Sequence, residues 1–395
     1  MQFVEIKDLK PGMRLAKPIY NKMGVMLYDR NTSLAASGIK NIENFGLIGL
    51  FILEPAEPLP PLSEEELRFE QFQTIYMFQI RKIMHLLQND NEPETLHELV
   101  ADILKHYGTL DHKMRFTQIL RSSADYVYKH SISTAILSAM IANVLGYTNR
   151  EKEHLVTAAL LYDMGYLFVP RYILDKKDAL TDNDYRIIQE CRKRGFQLLY
   201  PDTNKYLLNG EVLNTIQQTH TIFAAQTPND LQGKNFSKNA LVLTVADEFD
   251  KLTAMNLHHA PISEIAAIRQ LRKTPQLYNA QVVSALANCI QILPSGCSVD
   301  LTNGEKAIVL VENPDNFMAP LILTIRNNQT YDLSDPEVAK KIRIADIMKT
   351  MDNRIVVDED TLKQFSSDSR LSNTLARYQE RMKKKMAKSF DFSLL

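Results

Sequence analysis

Leu160-Leu161-Tyr162-Asp163-Met164-Gly165-Tyr166-Leu167-Phe168-Val169-Pro170 carries an apolar run that delivers an aspartate directly into a glycine turn. This is the form of a metal-site segment with parts missing. Two other places extend it: His130 within Tyr126-Val127-Tyr128-Lys129-His130-Ser131, and Asp247 within Val245-Ala246-Asp247-Glu248-Phe249-Asp250. A metal site built on helices needs hard oxygen and imidazole ligands from several of them, so that a cation can be held and can activate water. Each residue also has a structural role open to it. His130 could cap its helix, Asp163 could accept N–H bonds in the turn at Gly165, and Asp247 could begin or brace a helix.

Working outward, 395 residues exceed what one hydrophobic core usually organises, and two or three domains are expected. Hydrophobic residues make up 45% of the chain, enough for a sizeable core. Lys and Arg number 46 against 47 Asp and Glu, a balance that argues against global attraction to nucleic acid or anionic lipid. The three cysteines, Cys191, Cys289 and Cys297, are odd in number and unpatterned, which fits free thiols in a reducing compartment. The first residues lack the order of a signal peptide and no apolar run reaches membrane-spanning length, so the expectation is a soluble, cytoplasmic protein.

Residues 1–56 alternate short apolar runs with Lys10-Pro11-Gly12 and Lys22-Met23-Gly24, which indicates a small α+β module. Pro58-Leu59-Pro60-Pro61 is a stiff linker. Residues 57–125 then form a helical lead-in. Ser63 with Glu66 has the capping-box spacing, and Phe69, Phe72, Tyr76, Ile80, Ile83 and Leu87 recur at helical intervals. From about Leu110 to Ile292 the pattern is helical nearly throughout, and residues 126–292 form the central helical domain. The period changes in residues 293–350, where Ser298–Leu301, the turn Asn303-Gly304 and Ala307–Val311 predict a hairpin, with Leu321–Ile325 a further strand. In the tail, 351–395, Leu371, Leu375, Tyr378 and Met382 trace a helix seam suited to association with a second copy or a protein partner.

With these positions in view, the chain resembles the HD superfamily of metal phosphohydrolases, and within it the HD-GYP family of cyclic di-GMP phosphodiesterases. Leu9–Ala16 is similar to the opening of the module that often precedes such domains. Val169-Pro170, Ile173-Leu174, Lys176, Leu180-Thr181 and Gly195 keep the family's spacing. The implied fold is mainly α, an HD-type helical bundle with a small N-terminal α+β domain and a C-terminal β appendage plus helix. His130, Asp163 and Asp247 fall on metal-ligand positions. The family's other site residues fall elsewhere: its second histidine on Tyr162, its phosphate-binding lysine on Tyr166, its next histidine on Cys191, its His-His-Glu on Gln218-Thr219-His220, and its Gly-Tyr-Pro on Gln226-Thr227-Pro228.

The site is therefore degenerate at Tyr162, Tyr166, Cys191, Gln218, Thr219, Gln226 and Thr227. The resemblance implies a catalytically inactive regulatory or interaction protein in a bacterial cyclic di-GMP signalling context. Two alternatives stand beside it. One is a phosphohydrolase with a single divalent iron, manganese or zinc on His130, Asp163 and Asp247; the other is a receptor that binds a cyclic dinucleotide without cutting it. Arg171, Lys176, Lys177 and the run Arg192-Lys193-Arg194 supply positive charge near the motif, although such runs are ordinarily solvated faces. Without a metal, His130 would be expected within hydrogen-bond or ion-pair reach of Asp163 or Asp247, with the Tyr162 hydroxyl as another donor to the carboxylates.

Overall fold

The computed structural model describes residues 2–21, 25–45, 47–53, 59–176, 178–200, 208–225, 227–256, 260–348, 353–355 and a few positions of the tail. Two compact units divide the chain: residues 3–52 with 63–291, and residues 1–2 and 53–62 with 292–395.

The larger unit begins with short strands β1 (Gln2–Glu5), β2 (Arg14–Leu15), β3 (Ile19–Tyr20) and β4 (Met26–Tyr28), then helix α1 (Ala36–Glu43) and strand β5 (Gly49–Leu53). β5 lies between β1 and β2, and all five of its residues are buried. Helix α2 (Glu64–Gln88) starts at Ser63, whose hydroxyl accepts from the Glu66 N–H while the Glu66 carboxylate accepts from the Ser63 N–H. Phe69, Phe72, Ile80, Ile83 and Leu87 form its buried stripe.

Helices α3 (Leu96–Tyr107), α4 (Tyr126–Val144), α5 (Asn149–Leu161), α6 (Arg171–Leu174), α7 (Asp182–Gln197), α8 (Gly210–Phe223), α9 (Lys238–Thr253), α10 (Glu264–Lys273) and α11 (Ala280–Cys289) complete this unit. α4 is its axis. It packs on α2, α3, α5, α9 and α11, and it is buried on every face because its sequence carries almost no charge after Lys129.

Residues 108–125 differ from the helical run expected of them. They form an irregular, largely buried segment that bridges to Leu47 through Ser122 and to Ile290 through Met114. Its backbone groups find partners in those neighbours, so no helix is needed to satisfy them: Ile48 N–H donates to the Arg121 carbonyl (3.0 Å) and Gln291 N–H to the Met114 carbonyl (2.9 Å).

The second unit is built on an antiparallel sheet of β6 (Ser298–Leu301), β7 (Lys306–Val311), β8 (Leu321–Thr324), β9 (Thr330–Asp332) and β10 (Ile344–Ile347) in the order β10-β6-β7-β8-β9, with a short helix α12 (Pro336–Ala339). The expected hairpin pairs Ser298 with Ile308 and Asp300 with Lys306, and Gly304 takes φ 82° in its turn. In the tail, Leu371, Leu375 and Met382 lie outside the described residues. Tyr378 is buried with Leu310, Leu321 and Leu323 of the sheet, and Arg381 pairs with Asp332. Among the described residues no helix is long and apolar enough to cross a membrane.

Candidate functional site

Three elements bring the side chains of the candidate site together. α4 places His130 one turn inside its start. α5, capped by Thr148 and Glu151, ends at Tyr162 and hands the chain to a 3-10 turn, Met164–Phe168, with Asp163 at its head. α9 presents Asp247, Asp250 and Lys251 at i, i+3 and i+4, hence on one face.

The turn after Asp163 is held by α7 through a contact that only glycine permits. A Cβ on Gly165 would lie 2.4 Å from the Arg192 Cα, and one on Gly195 would lie 2.3 Å from the Gly165 nitrogen. This approach of two backbones brings Arg192 over the site, buried, with its Nε 3.7 Å from Asp163 Oδ1 and its guanidinium against the Tyr166 and Phe223 rings. The expectation of a solvated face for the run 192–194 fails at Arg192, because the glycine contact turns that residue inward.

His130 is fully buried between two carboxylates. Its Nδ1 donates to Asp250 Oδ2 (2.5 Å) and its Nε2 faces Asp247 Oδ1 (3.0 Å) and the Tyr162 hydroxyl oxygen (2.7 Å). The Tyr162 hydroxyl donates in turn to Asp247 Oδ1 (2.7 Å). Asp250 also receives both guanidinium ends of Arg121, at 2.8 and 2.7 Å, and Lys251 Nζ donates to Asp247 Oδ2 (2.7 Å). Arg121, Asp250, His130, Asp247 and Lys251 thus alternate in charge along a continuous chain.

Burial alone would lower the His130 pKa, but the hydrogen bonds to Asp247 and Asp250 outweigh it and raise the pKa above its ordinary value. Burial opposes ionisation of Asp250 as well, yet Arg121 and His130 bring its pKa down to about 2. Asp247 is likewise depressed, since Lys251 and His130 overcome its burial. The phenol of Tyr162 stands well above its usual range through burial and the adjoining Asp247 and Asp163, and it remains a neutral donor.

The carboxylates are compensated from within. Three carboxylates (Asp163, Asp247, Asp250) face three permanent cations (Arg121, Arg192, Lys251) and the His130 imidazolium. A divalent ion on His130, Asp163 and Asp247 would require His130 Nε2 and Asp247 to release the partners just described, and it would meet Arg192 and Lys251 at the same carboxylates. The Asp163 oxygens are buried without a hydrogen bond, with His130 Nε2 3.9 Å away, but one open carboxylate is not a coordination shell. Among the described residues no group of three or more His, Cys, Asp and Glu side chains is arranged to hold a metal. The residues present do not fit one.

The degenerate positions have local employment. Tyr166 is half-buried beside Tyr126 and under Arg192. Cys191 packs against Val169, Ile173 and Ile188, where burial pushes its thiol pKa up. Gln218 accepts from the Ser237 N–H (2.6 Å) at the start of α9, and Thr219 bonds back to the Thr215 carbonyl (2.8 Å). The Thr227 N–H donates to Asp230, while Gln226 lies outside the described residues. His220 Nε2 donates to the Tyr162 carbonyl (2.7 Å) and, with its pKa lowered by burial and Arg192, stays neutral.

Arg121, Asp250 and Lys251 are the members that sequence reasoning missed. Lys251 had a signal, four residues after Asp247 on a helix. Arg121 had none, since it reaches the site from a nonhelical segment 129 residues before its partner Asp250.

Comparison with known proteins places a match to the HD domain family model over residues 115–282. The chain is similar to the cyclic di-GMP phosphodiesterase PdeB of Borreliella burgdorferi, with 23% identity over 231 residues, 58% of this chain and 60% of that protein. It is also similar to a cyclic di-GMP phosphodiesterase of Pseudomonas aeruginosa, with 24% identity over 277 residues, 68% of this chain and 66% of that protein. Both matches span less than two thirds of the relative's length. Among solved structures, an HDG"Y"P protein from Bdellovibrio bacteriovorus matches with a TM-score of 0.42 and 15% identity, over 72% of this chain and 97% of that one.

Proposed function

Residues 115–282 match the HD domain family model, and from that premise we propose that this chain is a non-hydrolysing regulatory or interaction protein of cyclic di-GMP signalling. The observation that carries the reading is His130 held between Asp247 and Asp250, with Lys251, Arg121 and Arg192 completing the charge balance. A phosphodiesterase of this class must offer its carboxylates and imidazoles to cations and leave a position for water. Here His130, Asp247 and Asp250 are committed to one another. Tyr162 supports the same reading, because its hydroxyl takes up both His130 Nε2 and Asp247 Oδ1.

The names of the relatives supply the signalling context, and cyclic di-GMP is the ligand they suggest. The tail, whose Tyr378 is committed to the sheet of its own unit, is proposed to offer its other residues to a protein partner or a second copy. The test is to assay the purified chain for cyclic di-GMP hydrolysis with manganese, iron or zinc, alongside elemental analysis. No turnover and substoichiometric metal are expected. Stoichiometric metal with turnover abolished by Asp163→Ala would replace this reading with the mononuclear enzyme.

A further inference from the structure

A cavity of about 430 Å³ lies inside the larger unit, lined by none of the residues of the ion-pair chain and within the size range of small-molecule sites. Its walls are Lys17 to Asn21, the end of α1 at Asn44 and Phe45, the α2 face from Glu70 to Arg81, then Ile119, Leu120 and Ser122, and Asp125 and Lys129. The inner surface is mainly apolar, with Ile19, Phe45, Met77, Phe78 and Leu120 contributing.

Its charges are distributed unevenly. Glu70 is closed off by Lys17, and Asp125 by Lys129, whose Nζ also donates to the Leu120 carbonyl (2.7 Å). Both acids of the cavity are thereby neutralised. Arg81 has no carboxylate partner among the described residues, and its guanidinium lies 5.8 Å from the Tyr128 ring centroid. It is half-buried, and with Phe78 it also lines a second cavity of about 440 Å³ that adds Lys82 and His85. An apolar chamber therefore opens at a junction where the uncompensated charge is positive.

We infer that this cavity binds a small organic anion, its aromatic or aliphatic body among Phe45, Met77 and Phe78 and its acidic head at Arg81. An apolar body alone would gain from burial, and the head group adds a charge-assisted hydrogen bond to a planar guanidinium. Neither element of the argument depends on the state of the His130 cluster.

The chain contains no tryptophan, so Phe78→Trp places a single fluorescent reporter at the junction. Two probes share one aromatic body: anilinonaphthalene sulfonate carries the acidic head and N-phenylnaphthylamine lacks it. With the full chain, saturable energy transfer from the reporter to the sulfonate is expected. Arg81→Ala in that background should weaken the sulfonate about tenfold, the scale of one lost charge-assisted bond, and change the neutral probe less than about twofold. Thr74→Phe, which fills the cavity from α2, should weaken both probes in a chain with an unaltered circular dichroism spectrum. If Phe78→Trp does not fold, the probes' own fluorescence on the natural sequence and on Arg81→Ala gives the same comparison. Absence of saturable binding, or an unchanged sulfonate affinity in Arg81→Ala, would overturn the inference.

Discussion

Arg121 and Asp250 meet as a two-point ion pair with neither side chain exposed, their nitrogen–oxygen distances 2.8 and 2.7 Å. Asp250 is thereby fixed from one side by a guanidinium and from the other by His130 Nδ1, so Arg121 orients the imidazole without touching it. Removing one partner of such a pair strands the other charge in the interior, a loss of about 3–5 kcal/mol. Arg121→Met should lower stability on that scale in urea unfolding followed by circular dichroism. The double variant Arg121→Met, Asp250→Leu should lose less than the sum of the two single changes, because neither member of the Arg121–Asp250 pair is left without the other, while the loss of the His130 Nδ1 acceptor is common to Asp250→Leu and the double variant.

His130 predicts a dependence on pH. Its folded-state pKa is raised above the ordinary 6.5, so the stability it contributes is fully present below 6.5 and is lost as pH rises through the folded value. Asp250 has the opposite sign: its contribution is present above the ordinary 3.8 and disappears as pH falls toward about 2. Denaturation midpoints measured from pH 6 upward should decline in the natural chain, and the decline should flatten in His130→Gln. A parallel decline in both would assign it to another group.

At Gly165 the neighbours are backbone atoms of α7, which cannot rotate away as a side chain can. Gly165→Ala should cost about 1–3 kcal/mol or more as an overpacked contact, seen as a lowered melting temperature. Cys191→Ala, which leaves the backbone atoms of the contact in place, should cost less. Equal losses would mean that the close approach is not what holds α7 to the turn.

Restoring a histidine at Tyr162 should not restore metal chemistry. In Tyr162→His, Lys251 would still pair with Asp247 and Arg192 would still approach Asp163, so elemental analysis should find no stoichiometric manganese, iron or zinc. Metal-dependent cleavage of cyclic di-GMP by this single variant would show that the two cations yield readily.

Local signals made much of the fold legible. Ser63 and Glu66 mark the start of α2 because a capping box is written in four consecutive residues, and Asn303-Gly304 marks a hairpin for the same reason. The candidate site was legible only as fragments. His130, Asp163 and Asp247 stand out as residue types that need partners, and the structure brings them together. Their partners do not stand out. Arg192 sits in a run of basic residues whose other members face water, and nothing in that run shows that Gly165 and Gly195 allow α7 close enough to bury it. Arg121 belongs to a segment with helix-like composition that stays irregular because distant backbone groups satisfy it.

That segment also bears on how the protein is made. Residues 114–122 take hydrogen bonds from Ile48, already synthesised, and from Gln291, synthesised much later, and Met114 N–H donates to the Cys289 carbonyl. A nascent chain emerging at roughly 5–20 residues per second therefore cannot seat this segment at its Met114 end until residue 291 has left the ribosome. During that interval α4 is exposed on faces that α9 and α11 later cover. The helical unit should consequently depend on chaperone protection during synthesis more than a bundle of consecutive hairpins would, since its central helix waits for its last neighbours.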